Sequence, residues 1–168
     1  MRLALEQARR GAAAGEVPVG ALVVLAEREV ARAHNAPIAL CDPSAHAEVL
    51  ALRESAQSCG AYRLPGSVLY ATVEPCPMCM GAALHARVAR IVFAAADPKG
   101  GAAGTVLDLS AVPAFNHRID VTGGVLAAES AVLLRDFFAA RRPRAGRVVA
   151  PADDASRPQT VASRPDEG

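Results

Sequence analysis

A chain of 168 residues, 52% hydrophobic and with a net charge of +1, has room for one packed domain and gives no polycation signal for nucleic acid. Its apolar runs fall short of the ~20 residues of a membrane span, and the opening Met1-Arg2-Leu3-Ala4-Leu5-Glu6-Gln7 is amphipathic rather than a signal peptide. Four cysteines in such a chain point to reduced thiols and metal binding in the cytoplasm rather than to disulfides.

In chain order, residues 2–14 are expected to form a helix, with Leu3 and Leu5 apolar, Arg9 and Arg10 polar, and Gly15 at its end. Val19 to Leu25 is a continuous apolar run of the kind a buried strand shows. Ala26-Glu27-Arg28-Glu29 reads as a turn and Val30 to His34 as the returning strand. Asn35 to Ser44, containing Pro37 and Pro43, reads as a loop, and residues 45–58 as a helix capped by Ser44. Val68 to Val73 is a second buried strand, Pro77 to Ala86 a helix with proline in its first turn, and Ile91 to Ala95 a third strand. Asp97 to Gly104 is too glycine-rich for regular structure, Val121 to Val125 is expected as a short strand, and residues 127–141 as a final helix.

Helices alternating with short buried strands predict a three-layer α/β domain. From Pro143 the composition turns to Pro, Ser, Asp, Gly and Arg without periodicity, so residues 1–142 are expected to fold and 143–168 to form a disordered tail. The basic residues are arginines apart from Lys99. Arg135, Arg141, Arg142, Arg144 and Arg147 gather near the end of the last helix against Asp136 alone. Such a cluster neutralises a few phosphates, or simply suits a helix C-terminus. Arg141 and Arg142 are its candidates for RNA contact.

Two motifs carry the chemistry. His46-Ala47-Glu48 opens one helix, and Pro75-Cys76-Pro77-Met78-Cys79 opens another. Cys76 and Cys79, three apart at a helix start, lie on one face and under the positive end of the helix dipole, which favours thiolates. With His46 they make three N/S ligands for one Zn2+ and leave a fourth position for water. Zinc lowers the pKa of such a water toward ~7, and Glu48, beside the ligands but surplus to them, fits a proton shuttle. A closed structural site needs a fourth ligand, for which Cys41, Cys59, His34, His85 and His117 are available. None of these forms a second half-site, and a structural site has no use for Glu48.

The spacing H-x-E…P-C-x-x-C is the known signature of zinc nucleobase deaminases. Further stretches carry a closer likeness: Glu16-Val17-Pro18-Val19-Gly20-Ala21, Asp42-Pro43-Ser44-Ala45-His46-Ala47-Glu48, Asp97-Pro98-Lys99-Gly100-Gly101-Ala102-Ala103-Gly104, Asn116-His117-Arg118 and Asp136-Phe137-Phe138. On these the chain resembles the bacterial tRNA-specific adenosine deaminases over residues 1–142. The resemblance implies a cytidine-deaminase-like fold with a five-stranded mixed sheet, a homodimer, and conversion of adenosine to inosine at wobble position 34 of a tRNA, the arginine tRNA with anticodon ACG. It implies that Asn35 hydrogen-bonds the purine, that Asp97 and Lys99 touch the anticodon backbone, and that Phe137 and Phe138 help to hold anticodon-loop nucleotides. Core packing is the competing reading of the two rings, and at least one is expected in the core. His117 and Arg118 are further candidates. Ala95-Ala96 stands where the family often has an arginine. The rival readings are a deaminase of free bases or nucleosides, and a zinc module that binds RNA without catalysis.

Overall fold

Five strands pair in the order β2-β1-β3-β4-β5: β1 Gly20–Leu25, β2 Arg28–His34, β3 Val68–Val73, β4 Arg90–Ala95 and β5 Asp120–Thr122. A computed structural model describes residues 1–142; the expected tail, with Arg144 and Arg147, lies outside the described residues. β1 is antiparallel to both β2 and β3, whereas β3, β4 and β5 run parallel. The sheet is therefore mixed, as expected. The helices are α1 Arg2–Ala13, α2 Pro37–Leu40, α3 Ala47–Cys59, α4 Pro77–His85 and α5 Ala127–Arg141.

Helices α1 and α5 touch each other and the sheet, while α3 touches the sheet and α4 packs on α3. Because α1 and α3 both pack on β1, β2 and β3 without meeting, they lie on opposite faces, which makes three layers. The alanine-rich composition lets them pack closely. Ala4 and Ala8 of α1, Ala47 and Ala51 of α3 and Ala83 of α4 are fully buried. At Gly20 of β1 a Cβ would collide with the Ala4 carbonyl oxygen, so only glycine admits α1 this close. Leu64, Leu69, Met80, Val88 and Ile91 fill the space between.

Three local features differ from the sequence expectation. The turn after β1 is two residues long, not four: Ala26 and Glu27 both take positive φ (49° and 62°), the paired left-handed geometry that matches strand twist, and β2 begins at Arg28. The Asn35–Ser44 segment contains the short helix α2, whose first turn is capped from a distance by the Glu16 carboxylate. β5 ends at Thr122. Gly124 and Val125 instead bond the carbonyls of Ala94 and Phe93 near the end of β4.

The strand directions explain where function is found. β2, β3 and β4 run the same way, so the segments after their carboxyl ends, and the one before β1, emerge at a single edge of the sheet. Ligands of open α/β sheets bind at such an edge.

Candidate active site

Four segments meet at that edge: Glu16–Val19 entering β1, Asn35–Glu48 after β2, Glu74–Cys79 after β3, and Asp97–Thr105 after β4. The second delivers α3 and the third α4, each with its N-terminus at the site. His46 is the N-cap of α3 and Cys76 the N-cap of α4. The expected Ser44 cap is absent because Ser44 bonds Asp42 Oδ1 through both its N–H and its hydroxyl. The N–H of Ala47 is taken instead by Asn35 Oδ1 at 2.9 Å, across 12 residues of chain.

His46, Cys76 and Cys79 converge. Nδ1 of His46 is 3.7 Å from Cys76 Sγ and 3.5 Å from Cys79 Sγ, and the sulfurs are 3.6 Å apart. A tetrahedral zinc, with Zn–S about 2.3 Å and Zn–N about 2.0 Å, spaces its ligand atoms about 3.5–3.8 Å apart. The three donors therefore fit a zinc ion at once. Among the described residues they form the one group of this kind, so none of Cys41, Cys59, His34, His85 and His117 completes a closed site. His34 and His117 are engaged with the backbone carbonyls of Asn35 and Val88, and both other cysteines are exposed.

The sulfur–sulfur hydrogen bond with Cys79, opposed by burial and helped by His46, holds the Cys76 thiol down to about 4. The same bond, burial and the nearby Glu48 push the Cys79 thiol up. The bond to Cys76 raises the His46 pKa. Glu48, on the first turn of α3, is 3% exposed, and its Oε2 has no hydrogen-bond partner among the described residues. Burial pushes its carboxyl up, against the pull of the backbone and of His46. A carboxyl that is buried, unpaired and beside three metal donors is equipped to accept and return a proton.

The remaining sequence candidates fall into three groups. Asn35 lies beside the metal group and, by holding Ala47, offers its amide nitrogen as the donor end. Asp97 and Lys99 stand on the Asp97–Thr105 loop, where Asp97 Oδ1 accepts the Lys99 N–H. Phe137, Phe138 and Arg141 cluster at the C-terminal end of α5. Phe137 is 8% exposed and Phe138 49%, so one ring is core and the other faces solvent. Arg141 stacks 3.5 Å over the Phe137 ring and donates to the Gly15 carbonyl, which ties α5 to the end of α1. Arg142 is exposed.

Two buried carboxylates at the edge have no role assigned to them from the sequence. Glu16 accepts the N–H groups of Ile38 and Ala39, and Glu74 accepts those of Asp97, Ala103 and Thr105. A signal is nevertheless present: each is a lone acid at the border of an apolar strand and a proline. Burial raises the Glu74 pKa, but its hydrogen bonds, above all to Thr105, outweigh this and leave it lowered.

Residues 1–95 match the cytidine and deoxycytidylate deaminase zinc-binding region. The tRNA-specific adenosine deaminase of Bacillus subtilis is 44% identical over 138 residues, which span 82% of this chain and 86% of that one. The chain belongs to the tRNA-specific adenosine deaminases. A solved structure from studies of A-to-I editing by tRNA:A34 deaminases at the wobble position of transfer RNA is 42% identical to this deaminase. It superposes with a TM-score of 0.77, covering 80% of this chain and 97% of that one. The guanine deaminase of Nitrosomonas europaea is more distant, at 27% identity and a TM-score of 0.68 over 82% of each chain. The deaminase has a zinc-binding domain of the cytidine-deaminase-like fold, and the His46, Cys76 and Cys79 group is placed to bind the ion.

Proposed function

We propose that this deaminase hydrolyses adenosine to inosine at wobble position 34 of tRNA, with His46, Cys76 and Cys79 as the zinc ligands and Glu48 as the proton shuttle. The observation that carries the reading is the buried, unpartnered Glu48 Oε2 beside a three-donor group. Zinc bound there supplies Lewis-acid activation of water. Glu48 takes a proton from the attacking water and delivers it to the ring nitrogen beside C6, then takes the second proton from the hydroxyl added at C6 and delivers it to the departing amine. Water adds, the bond to the exocyclic amine breaks, and ammonia leaves. Asn35 Nδ2 donates to an acceptor of the purine and so orients it.

The substrate is an RNA loop rather than a free base. Anticodon-loop nucleotides splay out readily, so a protein of net charge +1 can bind them without a strongly basic surface. Exposed Lys99 with Asp97 on one side, and Phe138 with Arg141 and Arg142 on the other, are its contacts. Among the described residues no helix is long and apolar enough to cross a membrane. We place the enzyme in the cytoplasm as a homodimer, with residues 1–142 as the deaminase domain and the arginine tRNA with anticodon ACG as its substrate. Incubation with that anticodon stem-loop, followed by sequencing for A-to-I change, tests the reading. Ammonia release from free guanine or cytosine without editing of the stem-loop overturns it.

A further inference from the structure

Glu74 is 2% exposed, yet neither salt bridge among the described residues involves it. Its charge is held by hydrogen bonds alone, from backbone N–H groups and from the Thr105 side chain. Oε1 accepts the N–H groups of Ala103 and Thr105, each at 3.0 Å, and Oε2 accepts that of Asp97 at 3.1 Å. The bonds reach both ends of the Asp97–Thr105 loop. Between them the loop folds over the carboxylate so closely that a Cβ on Gly101 would collide with Oε2. The base of the loop, Gly101 to Ala103, is buried, while Pro98, Lys99 and Gly104 to Leu107 point outward. Ala102 N–H adds a bond to the Pro75 carbonyl, and Glu74 N–H one to that of Ala95.

We infer that Glu74 is a positioning residue for the substrate, a buried anchor that orders the Asp97–Thr105 loop before RNA arrives and so sets how tightly RNA is held rather than how fast the base reacts. The inference rests on the RNA reading above. A loop with glycines at 100, 101 and 104 is costly to order. If it were ordered only on binding, affinity would carry that cost; bonds made in the free protein remove it. The acceptor must be a full carboxylate, because three N–H donors surround it and an amide would turn a donor toward one of them.

The test compares Glu74→Gln and Gly101→Ala with the unsubstituted protein. Gly101→Ala leaves the carboxylate in place and forces the loop off it, and so covers the case in which Glu74→Gln does not fold. With an anticodon stem-loop as substrate, KM is expected to rise about tenfold, as loss of one charge-assisted hydrogen bond allows, with kcat within about twofold. Zinc content should be unchanged, and the amides of Asp97, Ala103 and Thr105 should exchange faster with deuterium in the absence of RNA. A fall in kcat at unchanged KM, or zinc loss in both variants, overturns the inference, since Glu74 would then act through Cys76. Unchanged KM and unchanged amide protection overturn it as well. Failure of the RNA reading shows separately, in unsubstituted protein that does not deaminate the stem-loop.

Discussion

Asn35 Oδ1 accepts the backbone N–H of Ala47 at 2.9 Å, so a residue just after β2 caps the helix that carries Glu48, the proposed proton shuttle. One amide side chain thereby joins the proposed orientation of the substrate to the placement of the helix that bears Glu48. The two ends of that amide can be separated experimentally. Asn35→Asp keeps an acceptor for Ala47 but loses the donor, and should lower kcat/KM with little change in stability. Asn35→Ala loses both, and should in addition destabilise the fold by about 1–2 kcal/mol, as loss of a helix cap does. Thermal denaturation beside steady-state kinetics on the stem-loop distinguishes the two.

Removing the carboxyl without disturbing the ligands isolates the chemistry. Glu48→Ala should retain a full complement of zinc and lose at least ~10²–10⁴-fold in turnover, the usual contribution of general acid–base catalysis. Near-normal single-turnover rates in the zinc-loaded variant would remove Glu48 from its role.

The ligand set makes a complementary prediction. Cys76→Ser should lose most of its zinc and unfold at lower temperature, because the three donors are buried or half-buried around one point and metal binding to such a group adds to folding stability. Chelator treatment of the unsubstituted protein should lower its Tm in the same direction. Metal analysis showing full occupancy in Cys76→Ser would refute the assignment.

Arg141 and Arg142 should behave differently although they are adjacent. Replacing either with Ala is expected to reduce the salt dependence of stem-loop affinity, by ~0.7 in slope for each single-strand phosphate that is no longer neutralised. Only Arg141→Ala should also lower Tm, because Arg141 stacks on Phe137 and reaches Gly15. Titration across a salt series, with a melting curve for each variant, checks both parts. An unchanged slope would leave the pair as a solvated helix end.

Much of the site was legible because its residues are local and chemically rare. His46, Glu48, Cys76 and Cys79 occupy fixed steps on two helix starts, and apolar runs marked the strands that place those starts. What escaped the sequence was long-range, made between a side chain and the backbone of a distant segment. The cap on α3 comes from Asn35 rather than the nearby Ser44, and α2 forms because Glu16, 22 residues from Ile38, satisfies its first N–H groups. No local pattern encodes such a bond. The two-residue turn at Ala26–Glu27 escaped for a different reason: its left-handed geometry normally calls for Asn or Gly, and neither is there.

That turn lies at the far end of the sheet. β1 leaves the chemical edge at Gly20 and reaches Ala26 only after Leu25, so the hairpin tip points away from His46, Cys76 and the Asp97–Thr105 loop alike. The molecule thus has a working end and a handle. A fluorophore or an affinity tag attached at Glu27 would travel with the rigid sheet and leave the approach of an RNA loop unobstructed.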